Sequence, residues 1–268
     1  INLVGLSLVL SIMAILCILL FTSFFIRLLQ IKLVEQIQRK LFVDLTLRVV
    51  TSLYLVNFSE LNKINIREKL NRVLEIKIIQ KTLATVFIVL LDTLLQTLFC
   101  VIVLAFYHPL FLAFDIVLVA CILLSIFLPL RSAYKASVTE STSTYDIVSW
   151  FQEKTSEFLS FRQLPLERSM EQIDDKLCDY LDVRTSLFSI LLRQHIYIGL
   201  TYIFINVLLI GLGGYLIVIG QLSIGQLIAA ELLVNIALIG LMKFSYYLND
   251  AYGFVVGIRK VLDLLAIT

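Results

Sequence analysis

The side chains that could do chemistry in this sequence stand inside apolar stretches, in pairs four residues apart. Asp92 and Gln96 form one pair, and Glu231 and Asn235 form the other. Because residues four apart share one face of a helix, each pair predicts a polar spot on a single helix. A carboxylate deep in a bilayer is costly and faces a cavity or a partner. The pairs therefore predict either a translocation path or hydrogen bonds that hold helices together.

Two further polar residues stand alone in apolar stretches. We assign Asn206 to the candidate translocation path, and we interpret Asp115, near the end of its stretch, as an interhelical hydrogen-bonding group. His108 and His195 have no clustered carboxylates or cysteines beside them in the sequence. Neither histidine is therefore predicted to bind a metal.

The motifs of several enzyme classes are absent from the sequence. It contains no G-x-x-x-x-G-K-[ST] phosphate loop, and no lysine follows a glycine. It also contains no G-x-S-x-G motif, and the spacing of its four cysteines fits neither a metal site nor a redox motif. The net charge of +2 gives no reason to expect a nucleic-acid partner. We therefore assign no catalytic, cofactor or metal site to this chain.

The composition is that of a membrane protein. Hydrophobic residues make up 60% of the 268 residues, above the roughly 45–50% of soluble domains. Apolar stretches long enough to span a bilayer lie at about 3–26, 83–106, 109–130, 196–219 and 223–243. The prediction is an all-α, polytopic membrane helix bundle in contact with lipid. A buried helical hairpin in a large soluble protein is the alternative.

The positively charged residues all lie on one side of the predicted bundle. All 22 lysines and arginines lie in 27–82, in 131–195 or from Lys243 onward, and the short turns at Tyr107-His108-Pro109 and Gly220-Gln221 carry none. By the positive-inside rule, the long segments face the cytoplasm and both turns face outside. The apolar first residues would then lie outside. We therefore expect one further membrane helix before Ile1.

The long basic segments are predicted to be helical, because no glycine occurs between Gly5 and Gly199. The first span should continue roughly 40 Å beyond the bilayer. The second segment must go out and return. Its turn is placed at the serine- and threonine-rich residues 137–144, with Pro165 as the competing position. Ser223-Ile224-Gly225-Gln226 predicts a capping box that opens the last helix.

The run from Gly214 to Ala229, GYLIVIGQLSIGQLIA, resembles the turn between the fifth and sixth helices of type I ABC exporters. Tyr107-His108-Pro109-Leu110 resembles the family's outer turn between helices three and four. Leu70-Asn71-Arg72-Val73-Leu74-Glu75 resembles the end of its first intracellular loop. The resemblance covers nearly the whole chain and favours bacterial peptide- or protein-export members. It implies that residues 1–268 are a type-1 transmembrane domain with five of its six helices.

The resemblance also implies partners and contact sites. A nucleotide-binding domain that holds ATP and Mg²⁺ is expected after Thr268, as is a second transmembrane half in a homodimer or heterodimer. Short coupling helices are implied near Asn65–Arg72 and Thr144–Glu153, with the candidate residues Asn65, Arg67, Glu68, Arg72, Tyr145, Asp146 and Trp150. Trp150 is interpreted either as an aromatic anchor for a partner surface or as packing between long helices.

The function expected from this resemblance is that of the membrane half of an ATP-driven exporter in the bacterial cytoplasmic membrane, its parent protein being an ATP-hydrolysing translocase. An ion-coupled secondary transporter that uses Asp92 and Glu231 is the alternative. A membrane-anchored sensor or scaffold is the third class. Further membrane spans after Thr268 would favour the carrier, and a Walker A motif there would favour the exporter.

Overall fold

A computed structural model describes residues 2–55, 66–156 and 165–265. These residues form seven helices and, within the same ranges, no strand. The helices are α1 (Asn2–Leu55), α2 (Ile66–Tyr107), α3 (Pro109–Phe127), α4 (Leu130–Ser156), α5 (Leu166–Val218), α6 (Ile224–Tyr246) and α7 (Leu248–Leu265). Five membrane-crossing candidates, long and apolar enough to span a bilayer, lie in α1, α2, α3 with α4, α5 and α6. This confirms an all-helical protein and indicates a multi-pass membrane protein.

The two short turns lie where the sequence predicts them, because local groups satisfy their backbones. His108 separates α2 from α3, and its Nδ1 accepts a hydrogen bond from the Leu110 amide at 3.1 Å. Between α5 and α6, Gly220 adopts a φ of 75°, which favours glycine. The Ser223 hydroxyl and the Gln226 side chain then exchange hydrogen bonds with each other's backbone amides. The predicted capping box is thus confirmed.

On the opposite side, the helices run far beyond the length that a bilayer needs. Helix α1 has 54 residues and α5 has 53, so each is about 80 Å long at 1.5 Å per residue. A hydrocarbon core is only ~30 Å thick. The prediction that the helix of the first span continues without a break is confirmed. The bundle therefore has tight turns at one end and long projecting helices at the other.

The predicted turn at residues 137–144 is wrong, since α4 runs through this stretch without a break. The hydroxyls of Thr139, Thr142 and Thr144 each donate to the carbonyl four residues earlier in the same helix. These bonds satisfy the hydroxyls inside the helix, so a threonine-rich run does not require a bend. Helix α4 ends instead at Ser156, and α5 begins at Leu166, directly after Pro165.

Two helices break near the end of the apolar bundle from which the long helices project. Leu128 and Pro129 separate α3 from α4, and Tyr247 separates α6 from α7. Proline lacks the amide hydrogen that would continue the helical ladder, which explains the first break. Pro129 follows Pro109 by about 20 residues, or ~30 Å of helix, which is the thickness of a bilayer core. The breaks therefore lie about one bilayer thickness from the tight turns, where the projecting helices begin.

The main hydrophobic core lies between α2, α3, α5 and α6. Its fully buried side chains include Leu104, Phe111, Leu118, Ile205, Leu209 and Leu238. A smaller cluster of Val49, Ile76 and Ile79 joins α1 and α2 to α7 below the breaks. The first half of α1 is different, because its large apolar side chains from Val9 to Leu29 are all exposed. Such a surface suits contact with lipid.

The orientation can be tested with a native cysteine. Cys178 is exposed on α5 in the basic segment, whereas Gln221 is exposed in the opposite turn. A membrane-impermeant maleimide should modify Cys178 only in inside-out vesicles. In a Cys178→Ser background, Gln221→Cys should react only in intact cells. Exposed Cys17 lies in the apolar half of α1 and serves as the unreactive control. Labelling of Cys178 in intact cells would overturn the orientation.

Candidate functional site

A polar stripe formed by Tyr202, Asn206, Glu231 and Asn235 runs along the contact between α5 and α6. The Tyr202 hydroxyl donates to Asn235 Oδ1 at 3.0 Å. The two helices are antiparallel, so one turn toward the outer end leads from Tyr202 to Asn206 and from Asn235 to Glu231. Asn206 and Glu231 therefore lie at the same depth. Three of the five predicted path residues thus lie along these two helices, and the structure adds Tyr202, which the sequence did not single out.

The members of the polar stripe differ in how their polar groups are satisfied. Asn206 Nδ2 donates to the Tyr202 carbonyl at 2.9 Å, within α5. The half-buried Glu231 carboxylate accepts no hydrogen bond from any residue in the described ranges. It lies eight residues past Ser223, about 12 Å along the helix axis, a depth that falls in the middle third of a bilayer that α6 crosses. Glu231 is therefore the charged group in this stripe that can receive a ligand's donor.

The other predicted pair, Asp92 and Gln96, lies on a different contact. Gln30 of α1 donates to Asp92 Oδ1 at 3.5 Å. A Cβ added to Gly240 of α6 would come 2.5 Å from Gln96 Oε1, which places the Gln96 amide directly against that helix. The Thr93 hydroxyl lies 2.8 Å from the Val89 carbonyl of its own helix and 3.1 Å from the Gly240 carbonyl, and its proton is shared between them. These contacts join α1, α2 and α6, as expected of groups that hold membrane helices together.

The two groups do not form one ion site. Thr93 faces Gly240 in antiparallel helices, so Glu231 lies level with about residue 102 of α2. That level is ten residues from Asp92, or ~15 Å along the axis. One ion cannot contact both carboxylates in this conformation. Among the described residues, no group of three or more His, Cys, Asp or Glu could hold a metal ion.

Asp115 does not make the interhelical hydrogen bond that the sequence predicted. Its side chain is 4% exposed, and neither carboxyl oxygen has a hydrogen-bond partner within the described parts of the chain. Asp115 packs instead in the apolar core beside Phe111, Phe114 and Leu118 of its own helix. The prediction was wrong because helical position in the sequence does not reveal whether a donor stands opposite.

A polar junction, made of Gln194, His195, Ser245 and Tyr252, ties α5 to the two helix breaks. Gln194 is fully buried; its Nε2 donates to the Ile126 carbonyl at 3.3 Å, and its Oε1 accepts from the Tyr252 hydroxyl at 3.1 Å. Ile126 lies in the last turn of α3, where helices leave carbonyls unsatisfied. One side chain thus joins α3, α5 and α7. Burial raises the pKa of the Tyr252 phenol, although the hydrogen bond to Gln194 opposes this rise.

The second half of the polar junction involves His195 and Ser245. His195 Nδ1 lies 2.7 Å from Ser245 Oγ, and the Ser245 hydroxyl donates to the Met242 carbonyl at 2.6 Å. Since a hydroxyl has one proton, His195 Nδ1 must be the donor in this pair. His195 therefore links α5 to the last turn of α6. Together with the cap at His108, this gives both histidines a structural role.

The predicted coupling residues are only partly described. Asn65 lies outside the described residues, and Arg67, Glu68 and Arg72 lie in the first turns of α2, where only the backbone is described. On α4, Asp146 is exposed, and the ring of Tyr145 carries the Lys260 ammonium 4.0 Å from its centroid. The stretch 144–153 is the interior of a long helix rather than a turn.

Of its two interpretations, Trp150 fits packing between the long helices. It is 9% exposed and shares a small cavity with Leu166, Ser169 and Met170 of α5. The exposed aromatic side chain at this end of α4 is Phe151, at 55% exposure. An aromatic contact with a partner surface would therefore come from Phe151. The sequence missed Phe151 because helix periodicity did not fix which neighbour faces α5.

No family model matches this chain, and no curated protein matches it. The structure itself shows an all-helical protein with five membrane-crossing candidates in the described ranges. Polar groups of the described residues are found in the polar stripe between α5 and α6, in the contacts of Asp92, Thr93 and Gln96, and in the polar junction at the helix breaks.

Proposed function

We propose that this chain is the transmembrane half of an ATP-driven ABC exporter that works as a dimer. The observation that carries the proposal is the one-sided extension of the helices. Helix α5 continues about 28 residues, or ~42 Å, from the polar junction to Leu166. Such length is not needed to cross a bilayer, but it lets a soluble partner act on the membrane helices. The resemblance at Gly214–Ala229 supports the same conclusion.

The polar stripe is the proposed contact for the transported molecule. Its Glu231 carboxylate is unpaired among the described residues and lies near mid-membrane, where an unpaired charge is tolerated only toward a cavity or partner. A second copy, or a related chain, would supply the other wall of a central path. ATP and Mg²⁺ would bind in a separate nucleotide-binding domain, and no residue of this chain is assigned to them.

The contact through which the nucleotide-binding domain would move the membrane helices is assigned to the exposed C-terminal end of α4, its tip. Movement of the nucleotide-binding domain against this tip would draw the projecting helices together. The polar junction would pass the movement to α3, α5 and α6, since Gln194 contacts groups on both sides of the helix breaks. Closing one end while opening the other is the rigid-body form of alternating access. The bacterial cytoplasmic membrane is the proposed location.

The ion-coupled carrier remains the alternative, with Asp92 and Glu231 acting separately rather than on one ion. A carrier does not hydrolyse ATP, so a measurement of ATP hydrolysis separates the two functions. The Asp92 carboxylate already accepts a hydrogen bond from Gln30, which favours a structural role for it.

The proposed function is tested with Phe151→Ala in the full-length gene product, purified and reconstituted in lipid vesicles. The wild-type protein should hydrolyse ATP, and Phe151→Ala should lower the rate about fivefold, because truncating a contact anchor typically costs more than 1 kcal/mol. Phe188→Ala is the matched control, since Phe188 is equally exposed but lies farther from the α4 tip. Absence of ATP hydrolysis by the wild-type protein would reject the exporter. Equal loss in both variants would reject the contact.

A further inference from the structure

A groove of about 380 Å³ lies between α3 and α5 on the lateral surface of the bundle. It is lined by Cys121, Leu124, Ser125 and Leu128 on one wall and by Tyr197, Leu200 and Thr201 on the other. Leu124, Leu128 and Leu200 are 61%, 67% and 57% exposed, so the groove is open to its surroundings. It ends at the break between α3 and α4, about one bilayer thickness from the tight turns. In a membrane it therefore opens to the lipid leaflet nearer the projecting helices.

The hydroxyl groups inside the groove are already used. Ser125 is 5% exposed, and its Oγ lies 2.7 Å from the Cys121 carbonyl and 2.7 Å from Thr201 Oγ1. Since the single proton of Ser125 goes to the carbonyl, Thr201 is the donor in the second contact. Neither hydroxyl keeps a proton for a ligand, so the interior of the groove suits a hydrocarbon chain. Tyr197 differs, because it is 40% exposed and its hydroxyl makes no hydrogen bond to any described residue.

The end of the groove toward the projecting helices is positively charged. Its walls and their continuation, positions 121–139 and 185–205, contain no aspartate or glutamate and three basic residues, Arg131, Lys135 and Arg193. All three are exposed and make no ion pair with any residue in the described ranges. The next acidic residue along α4, Glu140, lies 3.1 Å from Arg184 and is compensated by it. The three positive charges beside the groove are therefore available to an anion.

Arg131 and Arg193 stand at nearly the same level on opposite walls. Because α3 and α5 are antiparallel and Ser125 contacts Thr201, later residues on the first wall lie level with earlier residues of α5. Arg131 is six residues past Ser125 and Arg193 is eight residues before Thr201, so their levels differ by about two residues, or ~3 Å. Arg193 also lies one turn from Tyr197 on the same face of α5. Two guanidinium groups and one phenol thus lie around the end of the groove.

We propose that this groove binds one anionic phospholipid. Arg131 and Arg193 bind its phosphate, because the planar guanidinium group matches phosphate oxygens and hydrogen-bonds them in pairs. The Tyr197 hydroxyl donates to the ester groups, and one acyl chain lies between Leu124 and Leu200. Basic sites between membrane helices are a common form of acidic-lipid recognition.

The bound lipid joins α5 to the beginning of α4 across the helix break. This inference requires that the chain spans a membrane, and it does not depend on the proposed exporter function. The polar stripe takes no part in it, since that stripe lies between α5 and α6.

The test is native mass spectrometry of the purified full-length protein in detergent, with equal amounts of dioleoyl phosphatidylglycerol and dioleoyl phosphatidylcholine. The two lipids have the same chains, so only the head group differs. The protein should retain one phosphatidylglycerol at least about tenfold more often than one phosphatidylcholine, because each basic contact near an anionic lipid contributes about fivefold. Equal retention of the two lipids would overturn the proposal.

Charge variants show whether the two arginines form the site. Arg131→Gln and Arg193→Gln should each lower retention of phosphatidylglycerol about fivefold and leave that of phosphatidylcholine unchanged. Arg27→Gln is the matched control, since Arg27 is an exposed arginine at the end of the apolar half of α1, which does not line the groove. Arg27→Gln should leave retention unchanged. An equal loss in all three variants would mean that only general surface charge attracts the lipid, and it would overturn the site.

Two further measurements concern the acyl chain. Leu200→Trp fills the groove but keeps both arginines, and it should fold because Leu200 lies outside the core at 57% exposure. It should lower retention of phosphatidylglycerol at least about threefold, whereas Leu232→Trp, at 61% exposure on α6, should not. An excess of sn-glycerol 1-phosphate, which has the phosphate but no chain, should not displace the lipid. Its displacement by this soluble ester, or unchanged retention in Leu200→Trp, would overturn the lipid as the occupant.

Discussion

Gly240→Leu is expected to destabilise the protein by about 3 kcal/mol or more, the upper range for overpacked cores. At Gly240, α6 lies directly against α2: an added Cβ would come 2.5 Å from Gln96 Oε1 and 3.6 Å from the Thr93 backbone. A leucine cannot fit unless the helices separate, and separation would break the bond from Thr93 to the Gly240 carbonyl. The thermal unfolding temperature in detergent is the measurement.

Two comparisons make this test specific. Gly199→Leu places the same side chain in open space on α5 and should change the unfolding temperature little. Gly240→Ala should be milder, because the group in its way is the end of the flexible Gln96 side chain. Removing that group with Gln96→Ala should make Gly240→Ala nearly neutral. If Gly240→Leu and Gly199→Leu unfold at the same temperature, the close contact of α2 and α6 is incorrect.

Gln194→Leu is expected to cost about 2–4 kcal/mol, because it leaves both the Ile126 carbonyl and the Tyr252 hydroxyl without their partners. Each of these two groups would stay buried without a hydrogen bond, so the free energy of burying it would no longer be compensated. The loss should be visible in the free energy of unfolding of the membrane bundle. It should also weaken the attachment of α7, detected as faster proteolysis within residues 248–265.

A double variant separates the hydrogen bond from general packing. Tyr252→Phe alone removes one partner of Gln194 and should cost about 1 kcal/mol. In the Gln194→Leu background, Tyr252→Phe removes a hydroxyl that no longer has a partner, so its cost should vanish or change sign. Simple addition of the two losses would show that Gln194 and Tyr252 do not interact.

The parts of the fold that were predictable are those that depend on neighbouring residues. Ser223 and Gln226 are three apart, and their capping box requires no other part of the chain. Pro109 opens α3 for the same local reason. The length of α1 also followed from the scarcity of glycine and proline. Among the site residues, the position of Asn235 and Glu231 on one helix face was predictable, but Tyr202, the partner of Asn235 on α5, was not.

The errors concern contacts between distant segments and competing local bonds. Gln194 and Ile126 are 68 positions apart, so no spacing in the sequence connects them. Tyr202 stands in an apolar run and reads as a packing residue until Asn235 is placed beside its hydroxyl. The prediction of a turn at 137–144 was wrong because threonines can either cap a turn or donate back into their own helix. The sequence does not distinguish these two cases. For Asp115 the sequence predicted a hydrogen bond between helices that the structure does not contain.

The position of the polar junction along α5 makes that helix a lever with nearly equal arms. About 28 residues run from Gln194 to the start of the helix and about 24 run to its outer end, giving arms of ~42 Å and ~36 Å. A rigid tilt of about ten degrees at this pivot would displace the two ends by ~7 Å and ~6 Å in opposite directions. A pull of that size on the projecting tip would therefore reach the outer turn almost undiminished, without any bond inside the helix being broken.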